Sequence, residues 1–119
     1  MKVVTVSIEA RVQYKSEYEK GLELIKAKQA KNLGVITDED GDSFDMSTRQ
    51  FKAMLKQFND PTNKVIVFSN WNEGYCDGPS GCDAYSCKKQ ITEEQARLIA
   101  ETFCTIRDLE SGRVDFDDL

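Results

Sequence analysis

Four cysteines are the residues of this chain best suited to chemistry: Cys76, Cys82, Cys87 and Cys104, separated by five, four and sixteen residues. Zinc takes four soft ligands in a tetrahedron, and structural sites usually draw two of them from a C-x₂₋₄-C knuckle whose backbone wraps the metal. Only Cys82-x₄-Cys87 has that spacing. The chain contains no histidine, so a zinc site would have to be Cys₄, with Cys104 reaching the other three from a later element. The intervals match neither common iron–sulfur spacing, and the C-x-x-C of a thiol oxidoreductase is absent. Free thiols are the reading that a reducing compartment favours. A structural Cys₄ zinc site, or one or two disulfides, are the alternatives.

Three of these cysteines fall in Asn70–Lys89, which also holds Gly74, Gly78, Gly81 and Pro79 and shows neither a helical nor a strand period. Structureless stretches beyond about 12–15 residues are uncommon inside compact domains and usually carry function. Trp71, Tyr75 and Tyr85 lie in this loop. Tyr and Trp dominate binding hot spots because they bring large rigid area and a hydrogen-bonding tip at small entropic cost. All three are expected to contact a partner, Trp71 with the alternative of closing the core.

A second cluster is acidic. Asp38, Asp40 and Asp42 mimic the first three ligand positions of a calcium loop, but Ser43 stands where glycine is needed and Arg49 where the bidentate glutamate is needed. The run Asp38–Asp45 holds five acids in eight residues. A solvated turn is the default for such a run; the functional reading is that it presents phosphate-like charge to a basic partner.

Catalysis is not expected. Without histidine the commonest general base at neutral pH is missing, and no cysteine can be activated by an imidazole. No phosphate-cradling glycine motif and no G-x-S-x-G elbow occurs. Glu73 with Asp77 or Asp83 is the remaining carboxylate pair, a weak signal when 21 of 119 residues are acidic.

The elements that must position these residues follow from periodicity. Val4, Val6, Ile8, Ala10, Val12 and Tyr14 alternate with polar residues, a strand with one wet face. Ser16 and Glu19 form a capping box opening a helix that is expected to end at Asn32–Gly34. Val35–Thr37 and Ser43–Met46 flank Asp-Gly, a hairpin signal. Ser47 with Gln50 opens a second helix whose Phe51, Met54, Leu55 and Phe58 fall on one stripe. Lys64–Trp71, continuously apolar over Val65–Phe68, reads as an interior strand. Thr92 with Gln95, preceded by Ile91, opens a third helix with Ile99, Phe103 and Ile106 inward, ending at Ser111-Gly112; Val114 and Phe116 suggest a short last strand. The expected fold class is α+β: a ferredoxin-like βαββαβ order with both helices on one face of an antiparallel sheet, plus a C-terminal helix and strand that pairs beside Lys64–Trp71.

The 119 residues are expected to form one domain, 1–119, carrying the Cys/Gly-rich loop at 70–89. The net charge is −5, with seven Lys/Arg against four Glu in residues 1–33 and nine against seventeen acids thereafter. A nucleic-acid binder needs a basic face, so direct nucleic-acid contact is not expected. Nor is membrane association, since no apolar run approaches the ~18 residues of a spanning helix. The expected compartment is the cytoplasm, that of the host if the protein is viral. The functional reading is a small acidic interaction module, an inhibitor or adaptor, including a virus-encoded antagonist of a nucleic-acid-binding complex. It would present loop 70–89 and its acidic surface to a protein or protein complex without a cofactor. The alternative is a Cys₄ zinc domain that binds elsewhere.

Overall fold

The apolar run at Val65–Phe68 becomes an interior strand, and the sheet is built outward from it. The computed structural model describes residues 1–8, 11–38, 48–72 and 80–119, with backbone alone at 35–38, 48, 50–51, 71–72 and 80–82. Within these the order is β1 (Lys2–Ser7), α1 (Lys15–Lys28), β2 (Lys31–Asp38), α2 (Thr48–Phe58), β3 (Val65–Asn72), β4 (Ser80–Cys87) and α3 (Glu93–Glu110), followed by a 3₁₀ turn at Phe116–Asp118. The fold is mixed α+β, with three helices and one four-stranded sheet in the order β1-β3-β4-β2. β1 runs parallel to β3, while β4 is antiparallel to both β3 and β2.

This order is not clearly that of the ferredoxin-like arrangement, and several expected elements differ or are not described. The expected strand at Ser43–Met46 lies outside the described residues. The stretch read as a structureless loop contains β4, the sheet's second interior strand. Asp83, Ala84, Tyr85, Ser86 and Cys87 are all buried; a strand covered on both faces shows no alternation, and these small and polar residues do not form the apolar run that marked β3. Finally, Val114–Phe116 is not a strand: Asp115 caps the 3₁₀ turn, and the neighbour of β3 on its other side is β1.

The helices also occupy both faces. The chain crosses the sheet between β1 and β2 and returns between β2 and β3. Crossovers keep one hand, so reversing the direction of travel moves the helix to the opposite face. Successive strand residues point to opposite sides. Val6, Val65, Val67, Tyr85 and Cys87 share a cluster with Ile99 and Ala100 of α3, and Leu24 and Ile25 of α1 pack against it. Phe68, on the other side, stacks on Phe58 of α2 with ring centroids 6.1 Å apart. Met54 is buried there too, whereas Leu55 is exposed.

Helix ends differ in one case from the capping signals. α1 begins at Lys15 with Tyr14 as an N-cap that makes no side-chain bond, so Ser16 is already inside the helix and the Ser16/Glu19 box does not form. α1 closes at Gln29, left-handed at φ 49°, with Ala30 N–H donating to the Ile25 carbonyl at 2.8 Å. The chain then enters β2, where Gly34 at φ 143° accommodates a register shift between Asn32 and Gly34 rather than ending a helix. The Thr92/Gln95 box of α3 forms as expected, with bonds of 2.9 and 3.1 Å, and α3 ends at Ser111.

Candidate functional site

Both sheet ends are defined by which residues stand side by side. Asp38, the last residue of β2, is paired with Ser80, the first of β4, and Ser80 is paired with Asn72, the last of β3. β1 ends beside them, with Ser7 opposite Asn70. The segments that follow β2 and β3 therefore leave the sheet from the same end. Those segments carry Asp38, Glu39, Asp40, Asp42 and Asp45, and Glu73 and Asp77, without one Lys or Arg between 38 and 47 or between 70 and 80. The opposite end is basic: Lys2 opens β1, Lys31 opens β2, Lys64 immediately precedes β3, and Lys88 and Lys89 follow β4. Lys88 N–H donates to the carbonyl of Lys28, bringing the end of α1 to the same place. In sequence, the residues that follow β2 and β3 are thus acidic, and those that flank the opposite strand ends carry lysines.

Among the residues expected to bind a partner, Asp38 is the last residue of β2 and Trp71 the penultimate residue of β3, paired with Gly81. Tyr75, Asp40 and Asp42 lie outside the described residues, as do Glu73, Asp77 and Cys76. Tyr85 is a correction: it is buried on the α3 side of β4, its hydroxyl donates to the carbonyl of Ala96, and its ring lies 5.4 Å from that of Phe103. Burial raises its phenol above the ordinary range. It is a core residue, because its odd place in β4 aligns it with Val67 beneath α3.

The Cys82-x₄-Cys87 knuckle is likewise overturned. Both residues lie in one extended strand, so five steps at about 3.3 Å put their Cα atoms some 16 Å apart, too far to share a zinc whose bonds to sulfur are about 2.3 Å. Cys82 and Cys87 therefore do not form the metal knuckle that their spacing suggested. Cys87 is fully buried in the core cluster and Cys104 is half-buried against it, and both are free. Burial pushes the Cys87 thiol up to about 11, with Lys28 opposing; burial and then Asp108 raise Cys104. Among the described residues no group of three or more His, Cys, Asp or Glu is placed to hold a metal ion.

Beneath the acidic end sits a charged network that the sequence did not reveal. Asp83 on β4, only 2% exposed, pairs with Arg107 of α3. Burial pushes its carboxyl above the ordinary range, and the Arg107 guanidinium works against that shift. Arg11 and Arg113 approach Asp108 at 3.9 and 3.8 Å, and Val12 N–H donates to Thr105 Oγ1 at 3.0 Å. The Arg11 and Val12 contacts tie the segment after β1 to the last turns of α3. One signal was available: Arg107 continues the inward stripe Ile99–Phe103 at four-residue spacing, and a charge on such a stripe calls for a buried counter-charge.

Among the described residues no helix is long and apolar enough to cross a membrane. Comparison with family models, curated proteins and solved structures found no match to this chain.

Proposed function

We propose that the chain is a protein-binding module, an inhibitor or adaptor, that meets a basic partner protein with the acidic end of its sheet. The observation that carries this reading is the row Asp38–Ser80–Asn72, from which the acidic segment after β2 and the Tyr75 segment after β3 both depart. Charge in such a patch steers encounter and selects orientation, while aromatic side chains supply contact area. Trp71, Tyr75, Asp38, Asp40 and Asp42 form the contact set; Tyr85 drops out because it serves the core. The reading is non-catalytic, cofactor-free and cytoplasmic, in the host cell if the protein is virus-encoded. It includes an antagonist of a nucleic-acid-binding complex, because clustered carboxylates offer a basic groove the charge it would meet on a phosphate backbone. It involves neither direct nucleic-acid contact nor a membrane.

The test is affinity capture from the native host with mass spectrometry, followed by titration of the captured protein. Replacing Asp38, Asp40 and Asp42 together with Asn should weaken binding and flatten its salt dependence. Trp71→Ala with Tyr75→Ala should weaken it by more than about 1 kcal/mol. Affinity indifferent both to salt and to these substitutions would remove this end of the sheet from the interface.

A further inference from the structure

The sheet has two edges, and they are built differently. β2 carries a register shift at Asn32–Gly34, with Asn32 Oδ1 accepting from Gly34 N–H at 2.9 Å; bulges of this kind blunt an edge against further pairing. β1 has no such device. It is six regular residues without proline, glycine or bulge, and Lys2 is its only charge. Lys2 N–H donates to the Lys64 carbonyl at 3.1 Å and Ile8 N–H to that of Asn70 at 2.9 Å. The even residues of β1 therefore direct their backbone groups at β3, and Val3, Thr5 and Ser7 direct theirs away from the sheet. The side chains of those three residues are exposed as well, Val3 at 53%.

We propose that β1 pairs antiparallel with β1 of a second copy of this chain, joining two four-stranded sheets into one about a two-fold axis through Thr5. Two observations select this occupant. The first is register: a two-fold at Thr5 sets Thr5 opposite Thr5 and Val3 opposite Ser7 as hydrogen-bonded pairs, using every outward backbone group of the strand. The second is side-chain fit. The same register sets Val4 opposite Val6, which extends the apolar row beneath α3, and no like charges meet; a two-fold contact must be self-complementary in this way.

The experiment is sedimentation velocity of the full chain over a concentration series, with circular dichroism to confirm folding. The wild type should show a concentration-dependent dimer that persists when the Asp38/Asp40/Asp42→Asn variant is used, separating this contact from partner binding at the acidic end. Thr5→Pro removes an outward N–H that the monomer's own sheet does not use and should give a folded monomer. Thr5→Lys and Thr5→Glu each place like charges in register and should weaken the dimer at least tenfold, while an equimolar mixture of the two should restore it. That rescue also decides the matter should Thr5→Pro fail to fold. A wild type that is monomeric at every concentration, or a dimer unmoved by Thr5→Lys, overturns the proposal; so does a monomer whose β1 amides become protected only by an added foreign strand.

Discussion

Gly21 of α1 rests against Thr102 of α3 so closely that a Cβ built on the glycine would lie 1.8 Å from Thr102 Oγ1. Thr102 is fully buried and its hydroxyl donates to the Leu98 carbonyl at 2.7 Å, so it cannot turn away without losing that bond. The absence of a side chain at Gly21 sets the approach of the two helices that cover one face of the sheet.

Gly21→Ala should therefore destabilise the protein even though alanine is the better helix former. The gain of up to about 1 kcal/mol in propensity is set against an overpacking cost of about 1–3 kcal/mol, or more where the neighbour cannot shift. Thermal denaturation should show a lowered Tm, partly restored in Gly21→Ala/Thr102→Ala. A single variant more stable than wild type would contradict the contact.

Tyr85 gives a graded prediction. Tyr85→Phe removes the hydroxyl's bond to Ala96 and should cost about 0.5–1.5 kcal/mol, whereas Tyr85→Ala empties a fully buried site and should cost about 3–5 kcal/mol. Urea titration measures both. A Tyr85→Ala protein as stable as wild type would return this residue to the surface.

The thiols of Cys87 and Cys104 should resist alkylation at neutral pH while the protein is folded. Burial holds Cys87 at about 11 and raises Cys104, and the thiolate is the reactive form. Peptide mapping after iodoacetamide should find both unmodified in buffer and both modified in urea; rapid labelling of Cys87 in the native state would refute its core position.

Asp60 ties the turn ahead of β3 to Lys88 after β4. Its carboxylate accepts from the Thr62 hydroxyl at 2.7 Å and the Thr62 N–H at 2.9 Å, with Lys88 Nζ at 3.3 Å. Those Thr62 bonds come first in lowering its pKa to about 2, with Lys88 adding to them. A carboxyl lowered on folding adds stability that is present above its unfolded value of 3.8 and lost as pH falls from there through about 2. Carbon-detected NMR titration should place Asp60 near the lower figure, and Thr62→Ala should move it up toward 3.8; an unchanged midpoint in that variant would assign the shift elsewhere.

Local signals were read correctly where the physics was local. The Thr92/Gln95 box and the stop at Ser111-Gly112 involve neighbours in the chain, and both ends of α3 follow from them. The apolar run Val65–Val67 described its own burial, since apolar residues on both faces of a strand call for cover on both. The α+β class and the wet face of β1 were legible for the same reason. β4 was not: flanked by β3 and β2, it buries small and polar side chains whose partners lie far away in sequence, as Asp83 does with Arg107 on α3. Its alternation is absent, so the glycines and cysteines around it suggested a loop and a Cys82–Cys87 knuckle where an extended strand stands.

By itself the sequence determined the charge balance, the lack of histidine chemistry, one interior strand and the caps of the last helix, because each depends on residue types or on contacts within a few positions. Only the tertiary structure decided that α2 lies on the opposite face from α3, that Tyr85 is core, and that Asp38 and Asn72 end in one row. Strand order is set by pairings between residues tens of positions apart, and those pairings bring Asp38 and Asn72 to one end of the sheet and Lys2 and Lys31 to the other.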